Sequence, residues 1–255
     1  MNIAVITGAS TGMGREFLLA LDKEYNYDEI WAIARSEGKL AELDGFTRAK
    51  VRPIPMDLTL EQSFADFKAL LQAEQPNIDL LLNCSGYGKF GAYDCVSIED
   101  DMGMIDLNVK ALVHMSRLCL PYMKRGSVLM NLDSLSAFQS VPYLTTYAAS
   151  KAFVLSYSRA LYAELKPRGI HVMAICPGWV KTPFFDRAKT KDTDAITYFN
   201  IVFTPEQIVK TALKDLKKRK KLSIHDWRIR LQVLGVKLMP EPLVTRIWLW
   251  QQKKK

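Results

Sequence analysis

Cysteine is scarce in this 255-residue chain and nowhere clustered: Cys84, Cys95, Cys119 and Cys176 lack the close pairs that hold zinc or frame a disulfide-stapled fold. Histidine is scarcer still, and His114, His171 and His225 lie far apart in sequence, so no metal site is expected. The amino terminus carries no basic leader, long apolar stretch or small-residue cleavage site, because Asn2-Ile3-Ala4-Val5-Ile6-Thr7 reads as a strand. A cytoplasmic, reducing compartment is the expectation, and the Asn83-Cys84-Ser85 sequon then has no route to glycosylation. No apolar run reaches the roughly 20 residues that span a bilayer, since Arg246 interrupts the stretch from Leu243 to Trp250. With 13 Gly, 11 Pro, 24% charged and 49% apolar residues, collagen-like, low-complexity and disordered classes are excluded.

Charge is unevenly spread. The formal +8 comes from the last fifth, where residues 205–255 hold 14 Lys and Arg against 4 Asp and Glu, while the rest is near balance. Lys217-Lys218-Arg219-Lys220-Lys221 ends a predicted helix, where cations complement the dipole, so nucleic acid is not an expected partner. The apolar, Trp-containing and Lys-terminated tail suits the protein body, a second subunit or a membrane surface, with membrane contact the less favoured.

Short apolar runs alternate with longer amphipathic ones, which predicts one α/β domain: a Rossmann-type doubly wound fold with a seven-stranded parallel sheet flanked by helices. The predicted strands are 3–7, 30–34, 51–55, 80–83, 128–132, 171–175 and 221–224, and the predicted helices 14–21, 62–72, 108–123, 146–165 and 205–217. Thr204-Pro205 reads as a helix start. Residues 183–203 lack a period and are long enough to be a lid. Residues 1–225 therefore form the expected catalytic domain, and 226–255 a basic, apolar extension.

Thr7-Gly8-Ala9-Ser10-Thr11-Gly12-Met13-Gly14 joins the first strand to the first helix, where glycines let main chain turn tightly against a pyrophosphate. Its spacing differs from G-x-G-x-x-G. Arg35 follows the second strand, 21 residues beyond Gly14, where an acid would hold the ribose 2′-hydroxyl of NAD and an arginine suits the 2′-phosphate of NADP. NADP(H) is favoured and NAD(H) remains open, with Glu37 close by. Tyr147 and Lys151, four residues apart on a helix, share one face, and an adjacent ammonium would favour the phenolate of a group whose ordinary pKa is near 10.

Taken in order, these motifs resemble the short-chain dehydrogenase/reductase family over residues 2–225. Residues 7–14 resemble its T-G-x-x-x-G-x-G loop, Asp57-Leu58 its adenine-contacting pair, and Asn83-Cys84-Ser85-Gly86 its N-N-A-G. Asn108 is similar to the helix asparagine, Ser134 stands 13 residues before Tyr147, Tyr147-Ala148-Ala149-Ser150-Lys151 resembles Y-x-A-S-K, and Pro177-Gly178 with Thr182 resembles P-G-x-x-x-T. The resemblance implies catalytic Asn108, Ser134, Tyr147 and Lys151: Ser134 holds the substrate oxygen, Tyr147 exchanges its proton, Lys151 binds the nicotinamide ribose, and Asn108 completes a water-linked relay. It implies that the cofactor meets Gly8, Ser10, Thr11, Gly12, Met13, Gly14, Arg35, Asp57, Leu58, Asn83, Ser85, Gly86, Tyr147, Lys151, Pro177, Gly178, Val180 and Thr182. Cys84, Ser85 and Asp133 depart from the family's usual residues.

The implied activity is NADP(H)-dependent interconversion of a secondary alcohol and a ketone. Phe138, Tyr143, Trp179, Phe184, Phe185, Tyr198, Phe199 and Phe203 fall where the family shapes its substrate cleft, which suggests an apolar small molecule such as a hydroxysteroid or lipid-like compound. Alternatives are a 3-oxoacyl-type reductase, a non-catalytic dinucleotide-binding regulator on the same fold, and a protein whose tail acts at lipid surfaces. A homodimer or homotetramer paired through the helices near 108–123 and 146–165 is family-like.

Overall fold

Near-continuous runs of apolar, β-branched residues can be buried on both faces only as central parallel strands, and the computed structural model, which describes residues 1–254, places them so. The sheet is built from β1 (Asn2–Thr7), β2 (Glu29–Ala34), β3 (Lys50–Pro55), β4 (Asn77–Asn83), β5 (Val128–Leu132) and β6 (His171–Ile175), with β9 (Leu222–Ser223) at one edge. Its order is β3-β2-β1-β4-β5-β6-β9, and every pair is parallel. Neighbouring order reverses at β1 and β4, so a crevice opens beyond the carboxyl ends of these strands, where ligands bind doubly wound sheets.

Helices α1 (Gly12–Glu24), α8 (Pro205–Lys217) and α9 (Trp227–Leu238) cover one face of the sheet, around Phe17, Leu18, Leu213 and Ile229. Helices α3 (Glu61–Glu74), α5 (Ala111–Cys119) and α6 (Thr145–Leu165) contribute Phe67, Met115 and Leu161 to the other. Each fully buried Ile or Leu in these layers contributes about 1.5–3 kcal/mol. The α8 start matches its sequence signal, with Gln207 Oε1 accepting from the Thr204 N–H at 2.9 Å.

Several boundaries move. The predicted helix 108–123 divides into the end of a π-helical turn, Asp106–Lys110, then α5, then a 3-10 turn at Pro121, and ahead of it runs α4 (Ile98–Ile105), which was not predicted. The start of α4 was readable, because Ser97 Oγ accepts from the Asp100 N–H at 3.1 Å ahead of an acidic first turn. The predicted last strand, 221–224, shrinks to two residues because only Ala174 and Ile175 pair with it. Helices α2 (Glu37–Ala41), α7 (Phe184–Ala188), α9 and α10 (Glu241–Gln251) were not foreseen. Strands β7 (Trp179–Val180) and β8 (Val202–Phe203) pair in parallel and pin the two ends of segment 183–203.

Among the described residues no helix is long and apolar enough to cross a membrane. The tail lies on the body: Val244 of α10 is buried, and the Trp248 indole N–H donates to the Pro142 carbonyl at 3.1 Å. Part of the basic run is paired within the chain, Lys217 with Glu24 and Lys220 with Asp215 at 2.6 Å.

Candidate active site

A cleft of about 940 Å³ opens over the carboxyl ends of the central strands, lined at one end by Gly8, Ser10, Thr11, Gly12, Met13 and Gly14. Gly8 (φ +68°) and Gly12 (φ +56°) adopt the left-handed conformation that the β1–α1 turn needs. A Cβ on Gly14 would lie 2.2 Å from the Gly8 carbonyl oxygen, so only glycine lets the helix start this close to the strand end. The loop therefore leaves main chain bare at a helix amino terminus, a cradle that fits a pyrophosphate. Thr7 Oγ1 accepts from the N–H groups of Cys84 (2.9 Å) and Ser85 (3.1 Å), locking the ends of β1 and β4 together beneath it.

Arg35 lines the same end with Ser36 and Lys39, so two cations face the cleft there, while Glu37 is absent from its wall. Asp57, Leu58, Ser85, Gly86, Pro177, Gly178, Val180 and Thr182 also line it. Burial raises the Asp57 carboxyl, but hydrogen bonds from the Thr59 hydroxyl (2.7 Å) and N–H (3.0 Å), with Arg35, bring it below the ordinary carboxylate range. Ser36 and Lys39 were missed by sequence reasoning, although their proximity to Arg35 was a usable signal.

Asn83 is placed elsewhere. It is buried beneath the cleft, where its amide donates to Asn131 Oδ1 (2.9 Å) and Ser116 Oγ (3.1 Å), and Asn131 in turn donates to Ser158 Oγ at 2.9 Å. This ladder ties β4 and β5 to α5 and α6. Asn108 is also buried: its amide donates to the Tyr87 carbonyl (2.9 Å) and Ser150 Oγ (3.0 Å), while its Oδ1 accepts from the Tyr87 N–H (3.0 Å). The Ser150 hydroxyl then donates to the Tyr147 carbonyl at 2.7 Å, so Asn108 fixes the first turns of α6 from a π turn.

Ser134, Tyr147 and Lys151 all face the cleft. The Lys151 ammonium lies 5.7 Å from the Tyr147 ring centroid and donates to the Leu132 carbonyl at 2.8 Å. The sequence expectation of an ammonium favouring phenolate is not met in this geometry. Burial raises the Tyr147 phenol well above its ordinary pKa, Ser134 lowers it, and Asp133 and Cys176 raise it further. Burial also pulls the Lys151 ammonium down, opposed by Asp133, Cys84 and Cys176. Lys151 spends a hydrogen bond on main chain, so its charge is not directed at the phenol oxygen.

Residues 2–193 match the family model described as short chain dehydrogenase. The chain belongs to the short-chain dehydrogenase/reductase family. It is similar to the Helicobacter pylori protein named probable short-chain type dehydrogenase/reductase VdlC, with 33% identity over 71% of this chain and 68% of that one. It shares 29% identity with the ketoacyl reductase HetN of a Nostoc species, over 84% of this chain and 75% of that one. Among solved structures it resembles a short-chain dehydrogenase from Sphingobium yanoikuyae in complex with NADPH, at 26% identity and a TM-score of 0.79, over 92% of each chain. The protein is thus an oxidoreductase of the short-chain dehydrogenase/reductase class, acting on small CH–OH substrates with a nicotinamide cofactor.

The far end of this family cleft is aromatic. Trp179, Phe184, Phe185, Tyr198 and Trp248 line it, and Phe90 packs behind with ring centroids 6.0 Å from Trp179 and 6.1 Å from Phe184. Four of the eight aromatics singled out from sequence do not line it. Phe138 packs beneath Lys237 and Arg159, Phe203 against the His225 ring in the core, Tyr143 beneath Lys254, and Phe199 against Trp179 behind the wall. Phe90 and Trp248 carried no recognisable motif, because they stand 158 positions apart in the chain.

Segment 183–203 is held by distant groups. The Phe90 N–H donates to the Ala188 carbonyl at 2.7 Å, and the Thr190 hydroxyl donates to the Phe90 carbonyl at 2.6 Å. Buried Gln252 accepts from the N–H groups of Thr197 (2.9 Å) and Tyr198 (3.0 Å) through Oε1, and its amide donates to the Tyr198 carbonyl at 3.2 Å. The tail beyond residue 226 therefore builds part of the cleft wall.

Proposed function

We propose that the protein interconverts a secondary alcohol and a ketone with NADP(H), on a bulky apolar substrate such as a hydroxysteroid or lipid-like compound. One observation carries this reading: a single cleft has Ser134, Tyr147 and Lys151 between a cationic end (Arg35, Lys39) and an aromatic end (Trp179, Phe184, Phe185, Trp248). The glycine loop would hold the pyrophosphate, and Arg35 with Lys39 the 2′-phosphate, whose charge matches theirs. Pro177, Gly178, Val180 and Thr182 would hold the nicotinamide, with Lys151 on its ribose. When bound, the nicotinamide supplies or accepts the hydride.

In this reading the chain's own groups handle the proton. Ser134 donates a hydrogen bond to the substrate oxygen, Tyr147 gives that oxygen its proton in reduction or removes it in oxidation, and Lys151, held on the Leu132 carbonyl, contributes through its place on the ribose. Asn108 holds the α6 start and joins a relay through water. The aromatic wall excludes water and takes up the apolar body of the substrate.

A second reading, a 3-oxoacyl-type reductase, is favoured by the name of the Nostoc relative. A non-catalytic regulator is disfavoured by the complete set of proton-handling groups. A panel of hydroxysteroids, bulky ketones, a 3-oxoacyl thioester and polyols, run with NADP(H) and NAD(H) in parallel, tests both: turnover of bulky apolar compounds with NADP(H) is expected. Turnover of polyols alone would overturn the apolar assignment. Pairing of two or four copies through α5 and α6 belongs to the same proposal, and sedimentation analysis checks it.

A further inference from the structure

Helix α9 has apolar residues on two opposite sides. At about 100° of turn per residue, Ile229 and Val233 share one side, and both are buried in the core. Trp227, Leu231, Leu234 and Leu238 follow at spacings of four, three and four, so they form one row on the other side, where they are 67%, 55%, 52% and 77% exposed. Single exposed apolar side chains are ordinary, but four large ones in an unbroken row mark a contact surface. On α10, Leu243 and Trp250 share a side and are exposed in the same manner, with exposed Arg246 between them.

Cations border the α9 row. By the same rotation Arg230 and Lys237 fall on one flank and Arg228 on the other. Arg228 pairs with Asp226 at 2.8 Å, whereas Arg230 stands 3.9 Å from Asp215, a carboxylate that already holds Lys220 at 2.6 Å. Residues 226–255 carry seven Lys and Arg against two Asp and Glu, so positive charge is left over around the apolar row. A second copy laid on the same row would bring these cations against their own copies, like charge against like. An anionic lipid surface answers both features: its acyl boundary takes up Trp and Leu, and its headgroups meet cations whose stems reach up from the row. With 12 residues α9 is too short to span a bilayer and suits one lying in its interfacial plane. The sequence pointed to residues 243–255 for lipid contact; the fold turns Val244 and Trp248 of that stretch to the body and leaves the longer row on α9.

We propose that α9, with the outer side of α10, is a docking surface for an anionic lipid bilayer. The same helices border the cleft: Gln232 of α9 lines it and accepts through Oε1 from the Asn200 amide of segment 183–203 at 3.2 Å, and Trp248 and Gln251 of α10 line it as well. Docking therefore brings the lid end of the cleft close to lipid. The surface stands apart from the redox reading, and its test involves no turnover.

The full chain is floated with vesicles of phosphatidylcholine alone and with vesicles of phosphatidylcholine and phosphatidylglycerol in equal parts, as wild type, as the combined Leu231→Gln, Leu234→Gln and Leu238→Gln variant, and as Lys237→Gln. The wild type is expected to bind the anionic vesicles at least about tenfold more tightly than the neutral ones, and less tightly as salt is raised. The leucine variant should lose about tenfold or more of that binding, and Lys237→Gln about fivefold. Absence of wild-type binding to anionic vesicles, equal binding to both vesicle types, or equal binding by wild type and leucine variant would each overturn the proposal. Vesicle-free sedimentation supplies the remaining outcome: a smaller assembly for the leucine variant than for the wild type assigns the row to a second copy and also overturns it. The substituted side chains are exposed, and unchanged circular dichroism checks that the variants fold; should the leucine variant not fold, Lys237→Gln and the wild-type preference between vesicles decide.

Discussion

At the loop end of the cleft main chain does the holding, through glycines at residues 8, 12 and 14 and through the N–H groups of Cys84 and Ser85 just beyond β4, which the Thr7 hydroxyl accepts. At the lid end side chains do it: Phe90 braces the aromatic wall, and Gln252 binds three main-chain groups of residues 197–198 from 54 to 55 positions away. Backbone cradles depend on local conformations that only short motifs can encode, so they suit a ligand part that is common to many enzymes. Side-chain walls change with single substitutions, so they suit the part that differs. The proposed reading uses that division of labour, with the nicotinamide cofactor at the first end and the particular substrate at the second.

The proposed proton-handling groups, Ser134, Tyr147 and Lys151, line the same cleft as both ends, and the largest effect is expected there. Tyr147→Phe keeps the ring packed on Phe184, 5.4 Å between centroids, and removes only the proton. The rate should fall by about 10² to 10⁴-fold, with dinucleotide affinity nearly unchanged, as checked by steady-state rates and calorimetric titration. Turnover near normal would remove the assigned role and leave both ends as binding walls only.

The difference between the ends also explains what could be read from the chain. Residues 7–14, the Tyr147-x-x-x-Lys151 pair and six of the seven strands lie close to their predicted places because each leaves a signal, a glycine spacing, a helical spacing or a short apolar run, that is complete within a few residues. The lid end was poorly legible. Phe138 and Phe203 were expected at the cleft, yet Phe203 is a core residue and Phe138 packs half-buried against the core, while Phe90, Trp248 and Gln252 were overlooked, because tertiary packing alone decides which side of an aromatic faces the ligand. Asn83 shows the same limit near the loop: its motif is local, yet its contacts, Asn131 and Ser116, lie 48 and 33 residues on.

If main chain holds the cofactor end, Gly14→Ala should damage it more than any surface change. The added methyl meets the Gly8 carbonyl at 2.2 Å, and a backbone atom cannot step aside. Dinucleotide affinity should fall by about tenfold or more, with about 1–3 kcal/mol lost in stability. Equal affinity in the variant would show that the loop opens freely and that the cradle is not rigid.

Charge at the same end should act on one cofactor more than the other. Arg35→Asp replaces a partner for the 2′-phosphate with a repelling carboxylate beside Asp57, so NADP should weaken by about 10 to 100-fold while NAD is little affected. Binding isotherms for both dinucleotides measure this. Equal losses would mean damage to the β2 end and not a lost phosphate contact.

The smallest expected effect concerns the lid and separates the two ends most cleanly. Gln252→Ala leaves the N–H groups of Thr197 and Tyr198 without their partner, a cost of about 1–3 kcal/mol if water does not replace it. Because Gln252 touches residues 197–198 and no part of the glycine loop, dinucleotide affinity should stay constant while KM for a bulky substrate rises several-fold. The melting temperature should drop at the same time. Loss of cofactor binding in this variant would show the two walls to be coupled through Trp179, whose strand precedes the nicotinamide-side Thr182 and pairs with the end of the lid. An unchanged KM would instead limit Gln252 to fastening the tail, leaving the aromatic wall to be shaped by Phe90 alone.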